Sequence, residues 1–272
     1  MRHIFHLILN RKQQIYQIMR VRQIYSRFGW HLKETLKRKY HLTEARDKNS
    51  PVLFFGCYSY QIEDAVRWAE TTKVLIWWSG SDISYCFRGR EHLIEIVRNH
   101  PNISHIATVN YIEKDLQTLN FKYKKIPLFS QFIDDFNPSE LGNSIYIYKP
   151  GSNIYCPRDV FSKIQNKFKS VPIIIAENHH TFTQQQLKEV YAKSILAIRL
   201  VLHDGLSHTA AEIGLCGRNI VWNGDTPNAV NWTDYNDVLL QIEKILDEKY
   251  DPFALAKQMR EYLDVGDGWL IV

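Results

Sequence analysis

The chain has 272 residues, 45% apolar and 23% charged, enough for one large or two small globular domains and unlike a low-complexity or disordered chain. No run of about 18 apolar residues is present, so no membrane-spanning helix is expected. The four scattered cysteines, Cys57, Cys86, Cys156 and Cys216, form no CxxC pair, which argues against a zinc site or a disulfide framework and fits a reducing, cytoplasmic setting. The net charge of +5 is unevenly placed: residues 1–50 hold 12 Lys or Arg against 3 Asp or Glu, and the remainder sums to −4.

Residues 1–10 are apolar but broken by His3, His6 and Asn10, and no cleavage site follows, so no signal peptide is read there. Residues 11–40 read as one long helix, with Ile18, Val21, Tyr25, Phe28, Leu32 and Leu36 on one apolar stripe and most of the basic residues off it. Such a helix packs on the body of the protein with a solvated basic face; the alternative is peripheral contact with an anionic membrane surface or another polyanion. After a polar break at 44–51, strands at 52–55, 73–78 and 104–109 alternate with helices at 62–71, 91–99 and 112–119. A short apolar piece at 125–128 is a fourth strand. Alternation with short turns predicts an α/β fold with a doubly wound parallel sheet. Ligands bind such sheets at the C-terminal ends of the strands, which places Gly56, the loop 79–82 with Gly80 and Asp82, and Asn110 on the ligand side. Asp82 either accepts bonds from a substrate hydroxyl or caps the turn that follows it.

Pro127, Pro138 and Gly142 mark 127–143 as irregular, and the boundary between a domain over 1–135 and a second over 136–272 is set there. The second domain opens with a strand at 144–148 that ends in Lys149. A helix at 158–168, a buried strand at 171–176 and a helix at 184–193 follow. The neighbouring His179 and His180 point in different directions and spacing supplies no third ligand, so no metal site is read. The run from 195 to 223 reads as a buried strand, the loop His203–Ser207, a short helix from about Thr209 to Leu215, and a second apolar strand at 219–222. Asp204 and Glu212 lie eight positions apart on either side of the helix start. The free N–H groups and dipole of that start, at Ser207, His208 and Thr209, favour an anion. Helices at 234–248 and 252–263 close the chain, and the tail 266–272 is placed to cross back to the first domain.

The stretch Asp204-Gly205, seven residues on Glu212, then Cys216-Gly217, resembles the donor-site motif of retaining glycosyltransferases of the GT-B fold, glycosyltransferase family 4 in particular. That family carries Glu at the first position, so Asp204 is one methylene shorter. The resemblance implies two Rossmann-like domains facing a cleft, with the nucleotide-sugar donor bound by the second and the acceptor by the first. It assigns Asp204 to the transferred sugar and Glu212 to the ribose. It places Lys149, or Arg158, near the donor phosphates and His180, Thr181 and Phe182 near the base. The turn Trp78-Ser79-Gly80-Ser81-Asp82 resembles the same family's first-domain turn, which adds Asp82 to the sugar-handling side and Gly56 and Gly80 to the acceptor side. The implied activity is metal-independent, retaining sugar transfer from a UDP- or GDP-type donor, without a further cofactor, to a hydroxyl on a glycan, a lipid-linked molecule or a small molecule. A related nucleotide-sugar epimerase and a non-catalytic polyanion- or membrane-binding protein are the alternatives. No helix-turn-helix, zinc finger or RNA-binding motif suggests a specific nucleic-acid partner, and no Walker loop or GxGxxG is present.

Overall fold

A computed structural model describes residues 19–26, 30–58, 60–149, 158–177 and 182–272. Two parallel sheets organise the chain. The first has strand order β2-β1-β3-β4-β5-β6, with β1 at Gln23–Tyr25, β2 at Thr43–Glu44, β3 at Val52–Phe55, β4 at Val74–Trp77, β5 at Ile103–Ala107 and β6 at Tyr123–Lys125. The second has order β11-β10-β9-β7-β8, with β7 at Ser144–Lys149, β8 at Ile173–Glu177, β9 at Ser194–Ile198, β10 at Asn219–Val221 and β11 at Ala229–Val230. Among the described residues, the pairings between these strands are all parallel. Every residue of β3 (VLFF) and β4 (VLIW) is buried, as a strand covered on both faces requires.

The helices are α1 (Trp30–Tyr40), α2 (Gln61–Ala69), α3 (Asp82–Cys86), α4 (His92–Asn99), α5 (Asn110–Thr118), α6 (Arg158–Lys167), α7 (Gln184–Lys193), α8 (His208–Leu215), α9 (Tyr235–Asp247) and α10 (Pro252–Leu263). Their starts follow local chemistry. Thr183 and Gln186 form a capping box on α7, Ser207 caps α8, Asp234 caps α9, and Asp251 precedes Pro252 at the first position of α10.

A single helix over 11–40 is not what the described residues form. Gln23–Tyr25 is a strand with Ile24 fully buried between its neighbours, and the helix runs only from Trp30 to Tyr40; residues 11–18 and 27–29 lie outside the described residues. The spacing of Val21 and Tyr25 suited a helical stripe, but the Gln23 side chain bonds the backbone of Arg46, Asp47 and Ser50 and ties this segment to the sheet edge. The basic side chains of α1 also turn to protein partners. Lys33 meets Glu44 at 3.0 Å, Lys37 meets Glu34 at 3.0 Å, and Lys39 donates to the carbonyls of Phe129 and Gln131, each at 3.0 Å. Among the described residues no helix is long and apolar enough to cross a membrane.

One apolar cluster runs through both domains, from Ile62 of α2 and Ile112 of α5 in the first to Tyr146 of β7, Ile213 of α8 and Met259 of α10 in the second. The other face of the first sheet is covered by α1 and by the tail, whose Trp269 and Leu270 are buried against Phe55 and Trp77. Arg20 and Ile271 form an antiparallel bridge there, and Val272 N–H donates to the Met19 carbonyl at 2.9 Å. The segment between β6 and β7 is irregular apart from a 3-10 turn at Ile133–Asp135. Arg218, fully buried, holds that segment to the second domain. Its guanidinium donates to the carbonyls of Ser139 and Glu140 (3.0 and 2.5 Å) and also to those of Ala192 and Ser194.

Candidate functional site

The C-terminal ends of the two sheets face each other across a cleft of about 510 Å³. From the first domain it is lined by the last residues of β3 and β4, by residues that follow β3, β4 and β5, and by Leu32, Leu128 and Ser130; from the second, by Tyr148 near the end of β7, Arg199 and Val201 after β9, and the loop His203–Thr209. Six residues singled out from the sequence meet here: Gly80, Asp204, Gly205, Ser207, His208 and Thr209.

At Gly205 the backbones of the two domains lie against each other. A Cβ on it would lie 1.9 Å from the Ser79 carbonyl oxygen, so only glycine allows the loop after β9 to lie against the loop after β4. Gly80, at φ 157°, is the facing residue. The helix α8 then starts at the cleft wall. Its cap Ser207 accepts from Ala210 N–H at 3.2 Å, and the earlier N–H groups of the first turn have no partner inside the helix.

Sequence reasoning passed over Arg199. Its Nε donates to Asp204 Oδ2 at 2.6 Å, and its guanidinium lies over the Tyr148 ring at 4.6 Å from the centroid. Burial works against its charge, and the adjacent Asp204 carboxylate outweighs that, holding its pKa raised. The available signal was a lone cation inside the apolar run 195–202. Lys149 does not line the cleft; its Nζ pairs with Glu177 at 2.8 Å. The side chain of Arg158 and residues His180 and Thr181 lie outside the described residues, and Phe182 packs on the central apolar cluster.

Asp82 neither faces the cleft nor caps the turn that follows it: its carboxylate bonds N–H groups that precede it in the chain. It is fully buried, its Oδ2 accepts from Cys57 N–H at 3.0 Å, and its Oδ1 accepts from Gly80 N–H at 2.8 Å and Ser79 N–H at 3.1 Å. Burial pushes its pKa up to about 6 against the pull of those bonds. It fixes the loops after β3 and β4 relative to each other and does not line the cleft. Gly56 lies in the same buried layer, its N–H donating to the Trp77 carbonyl at 3.1 Å.

Glu212 lies one turn into α8, beneath the cleft. Tyr191 donates to its Oε2 at 2.7 Å and Gln131 Nε2 to its Oε1 at 2.6 Å. Burial raises its pKa to about 7, with these two bonds pulling the other way. The Gln131 amide also lies 3.1 Å from His208 Nδ1, while Ser130 Oγ sits 2.8 Å from His208 Nε2. Burial, with Arg199 adding to it, pushes His208 down to about 4, so the imidazole is neutral. The segment 129–131 therefore reaches from the first domain into the polar layer under α8, and Lys39 of α1 holds its carbonyls. A second bridge is His203 Nε2 to Asp115 Oδ2 of α5, at 2.8 Å.

No family model matches the chain, and no curated protein matches it. Solved structures do. Sucrose-phosphate synthase from Thermosynechococcus elongatus aligns over 87% of this chain and 72% of its own, at 14% identity and a TM-score of 0.51. TarM from S. aureus, in complex with fondaparinux, α-GlcNAc-glycerol and UDP, aligns over 87% of this chain and 56% of its own, at 10% identity and a TM-score of 0.54. The fold is GT-B. At these identities the likeness is one of fold, and the chain spans little more than half the length of TarM. In this GT-B chain the cleft lies between the two domains, with the Asp204–Thr209 loop and helix start on its second-domain wall.

Proposed function

We propose that the protein is a glycosyltransferase that moves a sugar from a nucleoside-diphosphate sugar to a hydroxyl acceptor. The observation that carries this reading is the second-domain wall of the cleft, where the start of α8, Arg199 and the Asp204–Gly205 loop converge. A diphosphate needs charge and N–H donors in one place, and a helix start with a half-buried guanidinium on the same wall supplies both. The fold agrees, since solved GT-B structures include TarM with UDP.

In the proposed reaction the acceptor oxygen bonds to the sugar C1 as the bond from C1 to the diphosphate oxygen breaks. The electron pair leaves with the nucleoside diphosphate, and the acceptor proton passes to a phosphate oxygen of the leaving group. Attack on the face the diphosphate leaves gives retention and asks for no side-chain base. Arg199 and the first N–H groups of α8 stabilise the charge that grows on the leaving group, without a metal ion. Asp204, aligned by Arg199, orients the transferred sugar. Glu212 takes ribose hydroxyls once the nucleotide draws it away from Gln131. Closure around the donor excludes water and limits hydrolysis.

The test is thermal shift and calorimetric titration with UDP, GDP and ADP on the wild-type chain and on Arg199→Ala. One nucleoside diphosphate raises the melting temperature of the wild type and loses most of that effect in the variant. Absence of any shift at millimolar nucleotide sinks the reading.

A further inference from the structure

His203 lines the cleft but has no task in the proposed reaction. It belongs to the loop after β9, and its Nε2 lies 2.8 Å from Oδ2 of Asp115, carried by α5 of the first domain. Neither partner is sealed in: the two side chains are 34% and 32% exposed. Tyr111, one turn before Asp115 on α5, lays its ring 5.4 Å from the imidazole, centroid to centroid. The helix α5 therefore grips one edge of the ring, while the second nitrogen, Nδ1, has no hydrogen-bond partner among the described residues.

A carboxylate on one imidazole nitrogen does two things. It fixes the orientation of the ring, and it favours the doubly protonated form, whose other N–H is then a cationic donor. The groups facing His203 agree. The hydrogen bond to Asp115 leads in raising its pKa, burial opposes it, and the carboxylates of Asp115, Asp204 and Asp82 add to the rise. Tyr111, its own pKa raised by burial, faces the ring uncharged, and Arg199 is engaged with Asp204. The ligand atom that suits such a donor is an anionic oxygen, because charge-assisted hydrogen bonds are about twice as strong as neutral ones. Asp204, next in the chain, orients the transferred sugar in the proposed reaction, so the phosphate within reach is the one bonded to that sugar.

We infer that His203 is a further catalytic residue of the proposed transfer: its Nδ1–H donates to an oxygen of the sugar-side phosphate, and Asp115, reaching across from the first domain, is the positioning residue that holds the ring. This rests on the glycosyl-transfer reading and deepens it. The ring keeps its proton throughout and stabilises the charge that grows on the phosphate as the bond to C1 breaks. Each domain supplies one member of the pair, so this donor is complete only when the domains are apposed.

The experiment follows the ring of His203 by NMR in the full chain, with isotope-labelled histidine, its signal being the one lost in His203→Ala. The titration midpoint is expected above 6.5 in the free protein and nearer 6.5 in Asp115→Asn. Saturating nucleoside diphosphate, of the base selected by thermal shift, raises the wild-type midpoint further; the matching monophosphate leaves it in place. A midpoint that the diphosphate does not move, or that the monophosphate raises equally, overturns the inference. The rate readout is nucleoside diphosphate release from the corresponding glucose conjugate, with water as the acceptor. His203→Ala is expected to lower kcat about tenfold or more while the melting temperature changes little. In the wild type kcat falls as pH rises through the raised midpoint, and Asp115→Asn moves that fall to lower pH, which a merely structural pair would not do. His203→Asn sets an amide nitrogen where Nδ1 stood, and recovers part of the rate without this pH dependence. Equal rates for wild type and His203→Ala overturn the inference. Failure of the glycosyl-transfer reading shows separately and earlier, as no nucleoside diphosphate binding to the wild-type chain.

Discussion

Asp82 and Asp204 invite comparison. Each sits shortly after a parallel strand, each has a glycine within two residues, and the two loops touch through Gly80 and Gly205. Yet Asp82 is sealed inside its own loop by the N–H groups of Cys57, Ser79 and Gly80, while Asp204 faces the cleft and meets a side chain, Arg199. The difference lies in the donors each loop offers. Where the backbone curls its N–H groups round a carboxylate, the acid becomes architecture; where a guanidinium waits at the strand end, it stays available for a ligand.

The comparison breaks first at Asp82. Asp82→Ala strands the buried N–H groups of Cys57 and Gly80 and the half-buried one of Ser79, and is expected to cost about 3–5 kcal/mol in urea unfolding, whereas Asp204→Ala, whose partner Arg199 lines the cleft and keeps the Tyr148 ring beneath it, is expected to cost less. Equal losses for the two would dissolve the contrast. Next in size, Arg199→Ala leaves Asp204 to repel the diphosphate and weakens nucleotide binding about a hundredfold, or about 2.7 kcal/mol, by calorimetry. Gly205→Ala drives a methyl group into the Ser79 carbonyl and is expected to cost about 1–3 kcal/mol of stability, with a rise in nucleotide Kd as the loops part. A fourth outcome concerns Glu212, whose pKa burial raises to about 7. Nucleotide binding that uses the carboxylate favours the ionised form, so affinity rises with pH and levels off above about 7. Glu212→Gln flattens that profile; a flat profile in the wild type would count against the ribose role. The smallest effect on stability belongs to His203. Its hydrogen bond to Asp115 raises its pKa above the ordinary 6.5. The pair therefore stabilises fully below pH 6.5 and loses that contribution as pH rises through the raised folded value. Being partly exposed, it adds under about 1 kcal/mol; His203→Ala is expected to remove this slope from the melting temperature against pH.

The parallel sheets were legible because strands buried on both faces read as unbroken apolar runs, as VLFF and VLIW do. The second-domain loop was legible because its acids, glycine and cap lie within nine residues. Three features were not. β1 was absorbed into a helical stripe, since a three-residue strand carries too little period to resist one. Arg199 was smoothed into a buried strand. Ser130 and Gln131 come from an irregular segment that no local pattern ties to His208 or Glu212, 77 to 81 positions away. Contacts between domains are set by tertiary closure, and local sequence does not encode them.

The tail that returns to the first sheet gives the molecule a mechanical property. The chain passes between the domains twice, once through the segment between β6 and β7 and once between α10 and the buried Trp269. A body joined to another by one tether can swivel freely; two tethers define a line, and rotation about that line is the soft motion left. Any opening of the cleft is therefore expected to follow a single hinge angle, with Gly205 leaving and regaining its seat on Ser79 along that one path.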